Sequence, residues 1–316
     1  MTAPRDHGGG LDAAVARHGG TRETWVDLST GINPLPYPLP ELPKDAWTAL
    51  PDRGAQEALI AAARDAWDVP EGAAVLAAPG ASALIARLPG LMTAGRVHVP
   101  GPTYNEHAAA FAAHGWQVID SDAPVGRIEA RVIVHPNNPT GLWHGAASLD
   151  AGLMVVDESF ADVAPERSLI GHAAKPGVIV LKSFGKFWGL AGLRLGFAIG
   201  DPELIERLEA LLGPWPVSGP ALRIGHAALC DRDWAERTRA RLTEDAARLD
   251  LLMTGAGAEH VGGCALFRLY DVGDAAAWQE RLARHHVWSR VFPYSDSWLR
   301  LGLPGPDQWP QVEAAL

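Results

Sequence analysis

Lysine is scarce in this chain. Of 316 residues 27 are basic, and only Lys44, Lys175, Lys182 and Lys186 are lysines. Arginine supplies the other positive charges, so each remaining lysine raises the question of what an amine does there that a guanidinium cannot. Only the amine readily loses its proton and acts as a nucleophile. Cysteine is scarcer still: Cys230 and Cys264 show no CxxC spacing, which excludes a disulfide scaffold and a thiolate zinc site and fits a reducing compartment. Basic charge is short overall, 37 acidic side chains against 27 basic for a formal net charge of -10. A nucleic-acid partner, which requires a basic footprint, is not expected. No apolar run approaches the roughly 18 residues of a membrane span. The opening stretch Met1 to Asp6 is polar and lacks the order of a secretory signal. A cytoplasmic protein with no membrane partner is therefore expected.

What remains is a globular composition, 47% hydrophobic and 20% charged, and a length that at roughly 150 residues per domain suggests two domains. Two Pro/Gly-rich stretches, Gly31 to Pro43 and Gly213 to Pro220, divide the chain. Between them short apolar runs occur at Ala74 to Ala78, Arg96 to Val99, Gln117 to Asp120, Val132 to His135, Leu153 to Asp157, Val178 to Leu181 and Leu195 to Ile199. Such runs, without polar alternation, are what strands of a parallel sheet covered on both faces look like. Helical patterns such as Gln56 to Trp67, Ser82 to Leu91 and Asn105 to His114 lie between several of them, which predicts an α/β domain. After Pro220 a long helix, Trp234 to Thr254, precedes the apolar segments Ala265 to Tyr270, Val287 to Phe292 and Trp298 to Leu301, as in a smaller α+β domain. The expected organisation is an arm over 1–45 packing with the small domain, a large domain over 46–213 and the small domain over 214–316.

In an open parallel sheet, ligands bind beyond the carboxyl ends of the strands. Three predicted strands end there in polar residues: His135 runs into Pro136-Asn137-Asn138-Pro139-Thr140-Gly141, Val156 into Asp157-Glu158, and Leu181 into Lys182-Ser183-Phe184-Gly185-Lys186. An amide, a carboxylate and an amine thus fall along one edge. A fourth strand leads through Pro79 and Gly80 into a helix starting at Ala81 and Ser82, where first-turn amides and a hydroxyl suit an anion. Read singly, Lys186 is a surface lysine, Asp157 a cap and Asn-Pro-Thr-Gly a turn. Together they supply what pyridoxal 5'-phosphate requires: an amine for its aldehyde, amides, hydroxyls and a cation for its phosphate, and a carboxylate for its ring nitrogen.

The segment Ser183-Phe184-Gly185-Lys186-Phe187-Trp188-Gly189-Leu190-Ala191-Gly192-Leu193-Arg194 resembles the lysine motif of the fold-type I pyridoxal-phosphate enzymes, specifically the aminotransferase class I/II family. That resemblance implies the PLP-dependent transferase fold, α/β with a mostly parallel sheet in a large domain and a smaller α+β domain, and a homodimer. It implies Lys186 as the cofactor-bearing lysine, Ser183 and Arg194 on the phosphate with Gly80, Ala81 and Ser82, Asn138 on the ring hydroxyl, Asp157 on the ring nitrogen and Tyr104 stacked on the ring. It also implies Arg300, in Leu-Arg-Leu-Gly, as a clamp on a substrate anion.

Two departures bear on the reaction. Relatives often have Asp-Glu-Ala-Tyr where this chain has Asp157-Glu158-Ser159-Phe160, and Tyr-Pro-Asp where it has Leu50-Pro51-Asp52. The arm is more informative: His7-Gly8-Gly9 and Asp27-Leu28-Ser29-Thr30-Gly31-Ile32-Asn33-Pro34 resemble the start of the threonine-phosphate decarboxylase branch of the family. This implies decarboxylation of L-threonine O-3-phosphate in cobalamin biosynthesis, with His7 and Asn33 closing over the phosphorylated amino acid and Arg290 as a second cation. An aminotransferase resembling histidinol-phosphate aminotransferase and a non-catalytic protein of the same fold are the alternatives. His7-Gly8-Gly9-Gly10 also mimics an esterase oxyanion motif, but no Gly-x-Ser-x-Gly accompanies it. His260, His285 and His286 lack metal-site spacing such as HExxH, so no metal is expected.

Overall fold

The computed structural model describes residues 7–121, 124–146, 149 and 151–316; the polar opening Met1 to Asp6 lies outside them. The described strands are, in chain order, β1 (Val26–Asp27), β2 (Ala74–Ala78), β3 (Arg96–His98), β4 (Gln117–Ile119), β5 (Ala130–Val134), β6 (Leu153–Asp157), β7 (Val178–Ser183), β8 (Gly196–Gly200), β9 (Glu259–Cys264), β10 (Phe267–Asp271), β11 (Val287–Trp288), β12 (Arg290–Phe292) and β13 (Ser295–Gly302). The chain forms two compact units. The larger takes in the described residues of Pro36–Asn138 and Leu142–Glu236; the smaller takes in those up to Leu35, Pro139–Gly141 and Arg237–Leu316.

The larger unit is built on a seven-stranded sheet of order β2-β8-β7-β6-β5-β3-β4. Strands β3 to β7 pair in parallel, whereas β8 runs antiparallel to both β7 and β2. The fold is thus α/β and mostly parallel; the apolar run at 195–199 does not extend the parallel set. Only about a dozen residues separate Ser183 from Gly196, and they contain a single 3₁₀ turn, Ala191–Leu193. Parallel crossovers usually carry a helix, and this link returns the chain antiparallel instead. The core beneath the sheet gathers Leu84, Leu88, Leu91, Val97, Phe111, Val132, Leu153, Val155, Ile179 and Leu181. Burying each such side chain contributes about 1.5–3 kcal/mol.

The unit boundaries at 35/36 and 236/237 differ from the expected 45/46 and 213/214. The proline-rich segment is claimed by the larger unit through Tyr37, whose N–H donates to the Trp188 carbonyl at 2.9 Å and whose ring meets Trp188 and Trp234 edge-on. The second boundary falls inside the helix Arg232–Gly255. In the smaller unit, a four-stranded antiparallel sheet of order β12-β13-β10-β9 is accompanied by the parallel pair β1 and β11. That pair joins the N-terminal arm to the C-terminal segment, and Trp25 and Leu11 pack with Ala283 around it.

Candidate active site

Register aligns the strand ends of the larger unit. Val134 of β5 pairs with Asp157 of β6, which pairs with Leu181 of β7, so the polar loops after all three leave one edge of the sheet. Beyond that edge lies a cavity of about 140 Å³ lined by Ala81, Ser82, Tyr104, Asn138, Asp157, Ser159, Phe160, Ser183, Lys186 and Arg194, among others. The structure therefore brings Ala81, Ser82, Tyr104, Asn138, Asp157, Ser183, Lys186 and Arg194 together, with Gly80 immediately preceding the helix Ala81–Ile85.

Asp157 is buried and well supplied with donors. His107 Nε2 donates to Oδ2 at 2.8 Å, while the Ser159 amide and hydroxyl donate to Oδ1 at 3.0 and 2.5 Å. Burial alone pushes this carboxyl up, but the hydrogen bonds from His107 and Ser159 outweigh it and hold it below the usual carboxylate range. The carboxylate is thereby fixed in the state that can pair with a protonated ring nitrogen. His107 was not singled out from the sequence, although the signal was present. The helix Asn105–Ala113 starts just after Tyr104, and residues three apart at a helix start share a face. The Tyr104 and His107 rings meet edge-on at 6.0 Å.

Into the same cavity, Ser82, Ser183 and Arg194 bring two hydroxyls and a guanidinium. Arg194 takes the left-handed conformation (φ 54°) and donates to the Ala191 carbonyl at 3.0 Å. Gly80 has φ 84°, and a Cβ there would stand 2.6 Å from an Arg194 guanidinium nitrogen. Glycine supplies both the backbone conformation and the space. Gly196 leaves less room still, since a Cβ on it would meet backbone, the Ala81 amide nitrogen at 2.4 Å. The start of β8 thus lies against the start of the helix.

In the same cavity, Lys186 Nζ stands 5.2 Å from the ring centroid of Phe160. The preceding loop is locked by Asn137, whose side chain accepts from Thr103 Oγ1 at 2.6 Å and donates to the Pro102 carbonyl at 3.0 Å. This ties the segment bearing Asn138 to the one bearing Tyr104.

The other sequence-predicted residues, His7, Asn33, Arg290 and Arg300, belong to the smaller unit. Arg290 of β12 and Arg300 of β13 stand directly opposite each other. Arg300 is buried, donates to the Ser29 carbonyl at 2.6 Å and lies over the Phe267 ring. Burial, with Arg290 next to it, pulls its guanidinium down to about 10. Arg290 donates to the His7 carbonyl, and the Gly9 amide donates to Ser29 Oγ at 2.8 Å, which ties the arm to the same place. Asn33 is buried, its Oδ1 accepting from Arg241 at 2.6 Å and from the Leu35 amide at 3.1 Å. Arg241 is a second residue that the sequence did not single out. Among the described residues no cluster of His, Cys, Asp and Glu could hold a metal ion, and no helix is long and apolar enough to cross a membrane.

An amine, a buried carboxylate, an amide, two hydroxyls and a guanidinium packed on a glycine fit pyridoxal 5'-phosphate, group for group. The chain belongs to the aminotransferase class I and II family, whose model matches residues 25–309. Within curated proteins it is 43% identical to threonine-phosphate decarboxylase of Sinorhizobium sp, over 97% of this chain and 95% of that one. It is 39% identical to threonine-phosphate decarboxylase of Pseudomonas aeruginosa, over 98% and 97% of the two chains. Among solved structures, histidinol-phosphate aminotransferase from Sinorhizobium meliloti in complex with pyridoxal-5'-phosphate shares the fold, with a TM-score of 0.81 over 98% of this chain and 93% of that one at 17% identity.

Proposed function

We propose that the protein is a pyridoxal 5'-phosphate-dependent lyase that decarboxylates L-threonine O-3-phosphate to (R)-1-aminopropan-2-yl phosphate in cobalamin biosynthesis. The near-full-length likeness to two relatives named threonine-phosphate decarboxylase carries this reading. The arginine pair supports it: like charges directly opposite on neighbouring strands are unfavourable, and an anionic substrate group relieves them, a bidentate guanidinium suiting carboxylate or phosphate.

When bound, the cofactor supplies an aldehyde that bonds to an amine and a protonated ring that takes up an electron pair. Lys186 would be the amine that holds it and the group that delivers a proton to the substrate carbon. Asp157 would keep the proton on the ring nitrogen, Asn138 would bond the ring hydroxyl and Tyr104 would lie against the ring. Gly80, Ala81, Ser82, Ser183 and Arg194 hold the phosphate. Arg300 and Arg290 take the substrate's anionic ends, with His7 and Asn33 beside them. In the net reaction the carbon–carbon bond to the carboxylate breaks, carbon dioxide leaves and one proton takes its place.

A second copy of the chain is part of this reading. Leu39, Trp47, Leu50 and Trp215 are exposed around a groove of about 770 Å³ in the larger unit, and an apolar surface of this kind marks an interface. The cytoplasm is the compartment that fits a metabolic enzyme with two free thiols.

The rival reaction is transamination, which the shared fold does not separate from decarboxylation. Holoenzyme incubated with L-threonine O-3-phosphate is expected to release carbon dioxide and leave the cofactor in its aldehyde form. Glutamate formed from histidinol phosphate and 2-oxoglutarate, without carbon dioxide from the first substrate, would overturn the lyase in favour of the transaminase. Protein that takes up no cofactor from excess pyridoxal phosphate would favour the non-catalytic alternative.

A further inference from the structure

Two of the four lysines, Lys44 and Lys175, are exposed, and Lys186 lines the cavity. The fourth, Lys182, is 2% exposed and no role in cofactor or substrate binding falls to it. Its Nζ stands 2.8 Å from Glu158 Oε2 and 3.3 Å from Asp162 Oδ1, both partners being buried as well. Asp162 accepts two further hydrogen bonds, from Trp67 Nε1 at 3.1 Å and Trp188 Nε1 at 3.0 Å. Glu158 accepts from Ser168 Oγ and from the Leu169 amide, each at 2.6 Å. The cluster sets two carboxylates against one ammonium without exposure to water. A buried ionic cluster of this kind is rarely the best route to stability, because well-packed apolar side chains of similar volume serve as well or better. What it offers instead is fixed geometry.

Its members are sequence neighbours of the cavity groups. Glu158 follows Asp157, Lys182 precedes Ser183, and Trp188 lies two residues beyond Lys186. Successive side chains of a strand point to opposite faces, so a group clamped on one face sets the height and tilt of its neighbour on the other. We propose that Lys182, gripped by Glu158 and Asp162 and extended through Trp188, is a positioning residue: it locks the ends of β6 and β7 and the loop bearing Lys186 to one another, so that carboxylate, hydroxyl and amine face the cofactor in a single arrangement. This rests on the cofactor reading given above.

The test uses Trp188→Phe, which removes the indole donor to Asp162, and the charge-free, near-isosteric triple variant Lys182→Met/Glu158→Gln/Asp162→Asn, with Lys175→Met as a surface control. Three quantities are measured on each: apoprotein melting, the dissociation constant for pyridoxal phosphate well below the melting temperature, and the visible circular dichroism of bound cofactor, which reports its tilt. The expected result is melting within a few degrees of wild type for Trp188→Phe and for the triple variant. Both are expected to bind pyridoxal phosphate about tenfold more weakly and to show altered visible dichroism; Lys175→Met is expected to match wild type throughout. If the triple variant does not fold, Trp188→Phe decides alone. Unchanged affinity and dichroism in every folded variant would overturn the positioning role. Wild-type protein that takes up no pyridoxal phosphate overturns the cofactor reading, and the two failures are told apart by which protein shows them.

Discussion

Asp157 in the larger unit and Arg300 in the smaller are both buried charges, and their surroundings treat them in opposite ways. Donors from His107 and Ser159 overcome burial and favour the ionised form of Asp157, whereas burial and the facing Arg290 disfavour the ionised form of Arg300. The first has its charge settled by the unit's own side chains, which is what a site for a resident partner requires. The second becomes more favourable when an anion arrives, which is what a site for a passing substrate requires.

The strongest way to break this contrast is to remove the amine. Lys186→Ala is expected to lower carbon dioxide release at least about a thousandfold, leaving thermal melting and phosphate binding by the arginine pair near wild type. Loss of phosphate affinity in that variant would show that the two units do not act separately. Next, Arg300→Met is expected to reduce kcat/KM for threonine phosphate about a hundredfold, the scale of a lost bidentate charge-assisted pair, with pyridoxal phosphate retention unchanged in an equilibrium dialysis measurement. His107→Phe is expected to cost about tenfold in turnover, and its apoprotein gives a further reading by acid titration. A depressed carboxyl stabilises the fold above its unfolded value, about 3.9, and loses that contribution as pH falls through its folded value. Removing the His107 donor moves that loss to higher pH, visible as earlier acid unfolding by tryptophan fluorescence. The smallest effect is on the arginine side: affinity for inorganic phosphate, measured calorimetrically, is expected to fade as pH rises through about 10, below the ordinary guanidinium range.

The strands at 74–78 and 153–157 are legible in sequence to the residue, because burial on both faces writes a continuous apolar run. Their direction is not written there. Gly196–Gly200 is as apolar as its neighbours, and only the shortness of the link from Ser183 signals that it runs the other way. The second unit boundary escapes for a related reason: the helix Arg232–Gly255 continues across it without the proline or glycine punctuation that marks a linker. The candidate cofactor residues were legible through their fixed order past successive strand ends. Their supports were not, because His107, Lys182 and Arg241 belong to no motif. Histidine, lysine and arginine inside amphipathic or apolar segments read as ordinary until a fold brings their acceptors within reach.

Position 80 carries a last consequence. With hydrogen as its side chain, Gly80 lets the Arg194 guanidinium rest against the backbone, and one added methyl would drive that cation outward along the cavity wall. In a saturation library, codon 80 should emerge nearly monomorphic for glycine even under selection for folding and cofactor retention alone.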